Sequence, residues 1–256
     1  MTIQALVIGI GSGNPDHLTR EAVAALNRVD VFLVADKGAA KRDLVKLREE
    51  ICRTLIIHDH YRIIEAPDPK RDASDYATGV AAWHEARAQQ YAEIIAREAA
   101  DGSSVGFLVW GDPAFYDSTI RIVESIIRLG VDLELAVIPG ISSIQLLAAR
   151  HKIILNRVGQ PIHVTTGRRL LEEYSPTLGD VVVMLDGDLA CHGLVSRFGD
   201  LCIYWGAQLG LPDEALISGR LTEVIEEIRA ARAAIRSARG WVMDTYLLRP
   251  GVSANH

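Results

Sequence analysis

The chain has 256 residues, 49% hydrophobic and 23% charged, an ordinary globular composition that excludes disorder as its main state. Lys+Arg 27 against Asp+Glu 33 leaves a net charge of −6, which excludes a protein built for non-specific binding to a nucleic-acid backbone. No apolar run approaches the roughly 18 residues of a membrane span. The first residues lack a basic leader, and the three cysteines form no C-x-x-C pair, so the expected setting is the cytoplasm, with no membrane and no nucleic acid as partner.

In chain order, residues 3–10 are an apolar run closed by glycines, hence a buried strand. Residues 18–27 read as a helix and residues 31–35 as a second strand. The segment 37–87 fits neither pattern. It carries Pro67 and Pro69 and six basic residues, Lys37, Lys41, Arg42, Lys46, Arg48 and Arg53, with Asp43, Glu49 and Glu50 among them. A solvated helix of mixed charge is its plain reading. Residues 91–100 are helical, and 105–110 form a strand ending in Gly111-Asp112-Pro113. A helix follows at 119–129, stopped by Gly130. Residues 133–138 are a strand ending in Pro139-Gly140, and 144–150 are helical. Such strand–helix alternation implies a parallel sheet covered on both faces.

The pattern restarts after Asn156, with strands at 162–165, 181–185 and 201–204. The helix at 221–235 is apolar at 221, 224, 225, 228 and 235. Its first half holds Glu223, Glu226 and Glu227, and Arg229, Arg232, Arg236 and Arg239 follow, an order that complements the helix dipole. Gly240 ends it, and 241–248 is a last strand. Two α/β domains are expected, residues 1–150 and 159–256.

Three turns carry the chemistry. Gly9-Ile10-Gly11-Ser12-Gly13 follows a strand, as a dinucleotide-binding turn does, and Asp36 closes the second strand where a ribose-binding acid would sit. Against that reading, the third glycine of G-x-G-x-x-G is Asn14, and Asn14-Pro15 disfavours helix where a dinucleotide helix must already run. In Trp110-Gly111-Asp112-Pro113-Ala114-Phe115-Tyr116-Asp117, an acid stands at the carboxyl edge of a strand. No G-x-x-x-x-G-K-[ST] accompanies it, which excludes a P-loop NTPase. Pro139-Gly140-Ile141-Ser142-Ser143 turns the chain into a helix with two hydroxyls at its start.

Together, GIGSGNPDHLT, WGDPAFYDST and IPGISS, with VVVMLDG at 181–187, resemble the tetrapyrrole (uroporphyrinogen-III/corrin) methyltransferases over most of the chain. Ser12 stands where most relatives carry proline. The segments VFLVADKG, YATGVAAWHEAR and GWVMDTYLLRP are most similar to the branch that methylates precorrin-5 at C1 and releases acetate; another precorrin C-methyltransferase is the alternative.

The resemblance implies the class III methyltransferase fold: two α/β domains with an interdomain cleft, and a homodimer. The cleft would hold S-adenosylmethionine, with S-adenosylhomocysteine as product. Carried over by position, its site is Ser12, Trp110, Gly111, Asp112, Phe115, Ser142, Ser143, Met184, Gly206 and Ala207. Loss of acetate requires water to attack an acetyl carbonyl, hence a general base and an oxyanion donor. Asp117, Tyr116, Asp36 and His84 are the candidates. The carboxylates of a tetrapyrrole substrate call for local cations, and the 37–53 basic cluster, with Lys37, Lys41 and Arg42 foremost, together with Arg71, Arg87 and Arg121 could supply them.

Other readings stay open at this point. His58-Asp59-His60 places two imidazoles for a metal but lacks a third ligand. Asp186-Gly187-Asp188 is the D-x-D of a metal-dependent sugar-nucleotide transferase. A non-catalytic tetrapyrrole-binding role is the third.

Overall fold

The computed structural model describes residues 1–36, 42–69 and 76–251. The chain divides into two compact units, Met1–Ser142 and Ser143–His256.

The first unit is built on five parallel strands: β1 (Ile3–Gly9), β2 (Val31–Asp36), β3 (Arg62–Pro67), β4 (Ser104–Val109) and β5 (Leu133–Ile138), in the order β3-β2-β4-β1-β5. Around them lie α1 (Arg20–Leu26), α2 (Arg42–Leu55), α3 (Tyr76–Glu98) and α4 (Thr119–Arg128). Side chains alternate across a strand, so a strand apolar at every position must be covered twice. In β1, Ala5 and Val7 enter one core with Ala88, Tyr91, Ile95, Ile122 and Ile126 of α3 and α4. Leu6 and Ile8 enter the other, with Ala22, Leu26, Ile51 and Cys52 of α1 and α2. The expected two-sided parallel sheet is what forms.

Two differences in this unit have physical causes. β3, Arg-Ile-Ile-Glu-Ala-Pro, is only half-buried at the sheet edge and ends in proline, so it lacks the apolar run that marks β1. Of the helix expected at 91–100, residues 91–98 are the last third of α3, which already begins at Tyr76 and ends at Glu98. α1 starts only at Arg20, capped by the Thr19 hydroxyl on Ala22 N–H (3.0 Å), after a 3₁₀ turn at Pro15–His17. A dinucleotide turn needs its helix N-terminus directly behind the glycines, so that reading fails on geometry.

The second unit comprises α5 (Ser143–His151), β6 (Ile162–Thr166), α6 (Gly167–Glu173), β7 (Asp180–Met184), β8 (Leu201–Ala207), β9 (Ala215–Arg220), α7 (Leu221–Arg239) and β10 (Asp244–Pro250). Its sheet runs β6-β7-β10-β8-β9; only β6 and β7 pair parallel, and the remaining pairs are antiparallel. β9 is a half-exposed edge strand, the reason its alternating sequence was not read as one. α5 packs on β8, β9 and β10 and therefore belongs here, which moves the division ahead of the expected 150–159 boundary. Gly240 adopts a left-handed φ of 78° and ends α7 with its N–H on Arg236 O, as its position suggested.

A polar network is buried in this unit. Arg232, on α7, bonds Asp244 Oδ2 through Nε (2.7 Å), and Trp205 Nε1 donates to the same oxygen (2.8 Å). Asp186 accepts from Asp188 N–H (3.1 Å), Ala190 N–H (2.7 Å) and the Tyr246 hydroxyl (2.5 Å). Asp186 is buried with both oxygens engaged by the chain, so the first acid of the D-x-D is closed to a metal and only Asp188 stays exposed. Among the described residues, no three His, Cys, Asp or Glu stand together as a metal site, and no helix is long and apolar enough to cross a membrane.

Removing one partner of a buried ion pair strands the other charge. Arg232→Ala is expected to cost about 3–5 kcal/mol, read from urea unfolding by tryptophan fluorescence. A loss below 1 kcal/mol would mean that Asp244 is not held by the pair.

Candidate active site

In a parallel sheet the loops after β1, β4 and β5 leave from one edge, because the three strands are neighbours in register. Here they meet backbone to backbone. Gly11 and Gly111 form a two-way bridge, with Gly11 N–H on Gly111 O at 3.2 Å and Gly111 N–H on Gly11 O at 2.6 Å. A Cβ on Gly140 would lie 2.1 Å from Gly111 O, and one on Gly9 would lie 2.6 Å from Gly140 N. Neither position admits a side chain. Asp112 closes the junction: Oδ1 accepts from Ala114 N–H (2.8 Å) and Oδ2 from Gly140 N–H (2.9 Å). The carboxylate expected to face a ligand is thus a clamp between two loops. Ser12 Oγ lies 3.1 Å from His17 Nδ1, Trp110 stands between the end of β4 and the bridge, and Ser142 is buried. Phe115 is 39% exposed beside them, unusual for so large an apolar ring.

Beyond Asp112 the turn carries Tyr116 in the left-handed region (φ 52°), strained for a residue of that size. Asp117 Oδ1 holds Thr119 N–H at 2.7 Å and opens α4. Tyr116 and Asp117 line a cavity of about 250 Å³ between β2, β4, α2 and α3. Arg48 and Arg87 line it too. Arg48 stacks on Trp110 (4.7 Å to the ring centre), and Arg87 on Trp83 (4.8 Å) and Tyr91 (5.3 Å). Burial lowers Arg48 to about 10; Asp117 and Tyr91 pull it back up and Arg87 pushes it further down.

The structure therefore sorts the expected residues. Of the four proton-transfer candidates it brings Tyr116 and Asp117 together. His84 packs on Trp83 (5.1 Å between rings) and does not line the cavity, and Asp36 closes β2. Of the expected cations, Arg87 reaches the cavity and Arg121 is exposed on α4. Arg42 opens α2, while Lys37, Lys41 and Arg71 lie outside the described residues. Arg48, one of the expected 37–53 basic cluster, reaches the cavity, and Trp83 and Tyr91 join it as site residues that sequence reasoning does not single out. The i, i+4, i+8 spacing of Trp83, Arg87 and Tyr91 on one helix face was the available signal.

In the second unit Met184 ends β7 and Gly206-Ala207 end β8, with β10 between the two strands. Ala207 is fully buried, and a Cβ on Gly206 would strike Leu209 (2.8 Å) and Leu147 (2.9 Å), so both positions serve close packing. The next residue after each strand end is strained: Leu185 and Gln208 both have φ 52°. Leu185 is also 65% exposed. Ser143 is the first residue of α5.

Residues 5–225 match the family of Tetrapyrrole (Corrin/Porphyrin) Methylases. A precorrin-6A synthase [deacetylating] from Sinorhizobium sp is 45% identical over 249 residues, covering 96% of this chain and 95% of that protein. The crystal structure of a cobalamin synthesis related protein (CobF) from Corynebacterium diphtheriae superposes with a TM-score of 0.84 at 36% identity, covering 98% and 99% of the two chains. The uroporphyrin-III C-methyl transferase of Thermus thermophilus, solved with S-adenosyl homocysteine, shares the fold at 19% identity and a TM-score of 0.59, covering 96% and 97%.

Asp112→Ala removes two charge-assisted bonds and is expected to cost about 1.5–3 kcal/mol of stability. Gly140→Ala should cost at least about 3 kcal/mol, since backbone at 2.1 Å cannot yield cheaply. Gly187→Ala, whose Cβ meets nothing within 4 Å, should stay within about 0.5 kcal/mol. Thermal and urea unfolding of the three variants check the order; equal effects would refute the junction.

Proposed function

The chain belongs to the tetrapyrrole methylase family, and from that premise we propose that it is an S-adenosylmethionine-dependent C-methyltransferase of cobalamin biosynthesis that methylates precorrin-5 at C1 and releases acetate. The observation that carries this reading is the near full-length 45% identity to a deacetylating precorrin-6A synthase. The junction of three glycine loops at one sheet edge agrees with it. A homodimer in the cytoplasm is the setting it implies.

The residues present fit the methyl donor. The loop edge lets a ligand approach the main chain where glycines exclude side chains, and it carries the hydroxyls of Ser12 and Ser142 and an exposed ring on Phe115 for an apolar face. We assign the donor's polar ends to Ser12, Gly111 and Ser142 and its apolar contacts to Trp110 and Phe115. Asp112 acts by holding those loops in place. Met184 is assigned by the resemblance alone. When bound, S-adenosylmethionine supplies an electrophilic methyl group on a sulfonium. Methyl transfer asks mainly for alignment, which a rigid loop junction provides.

Deacetylation asks for more. Water's oxygen bonds to the acetyl carbon, the bond from that carbon to the macrocycle breaks, and acetate leaves its electron pair on the ring. Asp117 is our choice of general base. One of its oxygens is pinned by Thr119 N–H, which fixes its orientation, while no described residue bonds the other. Tyr116, next to it on the cavity wall, is the candidate oxyanion donor.

With precorrin-5 and S-adenosylmethionine, acetate and S-adenosylhomocysteine should form one to one. Asp117→Asn should lower kcat by about 10²–10⁴ and leave S-adenosylhomocysteine affinity unchanged by calorimetry. Methylation without acetate release would replace the reading with another precorrin C-methyltransferase. Binding of NADH in preference to S-adenosylhomocysteine would remove the methyltransferase altogether.

A further inference from the structure

A guanidinium taken out of water needs an anion, or a full set of acceptors, to offset its lost hydration. The second unit meets that demand: Arg232 lies 2.7 Å from Asp244, and Arg249 lies 3.0 Å from Asp180. The cavity of the first unit meets it only in part. Arg48 donates to two carbonyls, Leu44 O (3.2 Å) and Leu108 O (3.4 Å), and among the described residues no carboxylate comes within 4.0 Å of it. Arg87 is only 8% exposed. Its Nε donates to the Tyr91 hydroxyl (3.1 Å), and among the described residues its carboxylate partner is Asp68, which stands off at 3.8 Å and also accepts from the Trp83 indole (3.2 Å). Aromatic rings cover the flat faces of both guanidiniums, which leaves their in-plane N–H groups to bond. The indole N–H of Trp110, on the same wall, is buried with no acceptor among the described residues. Asp117, the wall's carboxylate, has one oxygen committed to Thr119.

We propose that the cavity between Arg48 and Arg87 is a carboxylate-binding subsite. A guanidinium fork matches a carboxylate in shape and charge, and the surrounding rings strip water from the contact. The cavity, at about 250 Å³, suits a carboxylate on a short stem and is below the usual size for a whole cofactor. An occupant would relieve the repulsion between two cations that now share the space, and would give the Trp110 N–H an acceptor.

The source of the carboxylate rests on the function proposed above. It is either the acetate set free beside Asp117 or a carboxylate arm still attached to the macrocycle. Sodium [1-¹³C]acetate titrated into the purified full-length chain and followed by NMR separates the two. Saturable binding, weakened at least tenfold by Arg48→Gln and less by Arg48→Lys, supports the subsite with free acetate as its ligand. Tenfold corresponds to about 1.4 kcal/mol. No acetate binding, but a KM for precorrin-5 raised at least tenfold in Arg48→Gln with kcat within threefold, supports it with the attached arm. Neither effect, in variants whose thermal midpoint and near-ultraviolet circular dichroism match the parent, overturns it. Arg87→Lys, which keeps the charge but loses the fork, gives a second reading should Arg48→Gln not fold. S-adenosylhomocysteine calorimetry on the parent protein runs alongside. Its failure would count against the methyltransferase and leave the acetate result standing.

Discussion

Three loops of the first unit touch through their backbones, and this contact sets the geometry of everything around it. Gly9, Gly111 and Gly140 come from the ends of three neighbouring parallel strands, and no two of these positions leave room for a Cβ between them. A junction made of main chain cannot adapt by changing a rotamer, so its shape passes directly to the residues that follow. Asp112 locks it with a charge-assisted bond across 28 residues of sequence. The turn that Asp112 begins is then held tightly enough to keep Tyr116 at a positive φ, with Asp117 beside it on the cavity wall. Backbone strain of this kind, costing about 1–3 kcal/mol, persists only where the surroundings over-determine it.

The two units treat cations withdrawn from solvent, some fully and some partly, in different ways. Arg232 and Arg249 are structural: each meets an aspartate, and Asp180 and Asp244 are themselves buried. Arg48 meets an aromatic face and carbonyls, and Arg87 meets aromatic faces, the Tyr91 hydroxyl and one carboxylate at 3.8 Å, a set that holds each guanidinium in place with less neutralisation. A chain of net charge −6 thus concentrates weakly compensated positive charge in one enclosed place. For an acidic protein acting on a polycarboxylate, local charge of this kind matters more than the net value.

The basic run on α2 shows how far a linear pattern reaches. A mixed-charge solvated helix correctly describes Lys46, which pairs with Asp43, and Arg53, which pairs with Glu50. It fails for Arg48. Residues two apart on a helix are rotated by roughly 200°, so Lys46 and Arg48 point to opposite sides. Composition alone does not show which side meets the sheet.

From the sequence by itself came the two-sided parallel sheet of the first unit, the three turns at its strand ends, the cap at Gly240 and the family resemblance. Each is written in local spacing: an uninterrupted apolar run demands cover on both faces, and glycine or proline marks a turn where it stands. The tertiary structure alone decided the mixed pairing of the second sheet, the attachment of α5 to that sheet, the closed network around Asp186, the clamp at Asp112 and the cavity between Arg48 and Arg87. Those depend on partners far apart in the chain, such as Asp112 with Gly140, Tyr246 with Asp186, and Arg48 on α2 with Arg87 on α3. Periodicity records which face of an element is buried. Which neighbour covers it, and which polar group it brings within bonding distance, is settled only when the chain closes on itself.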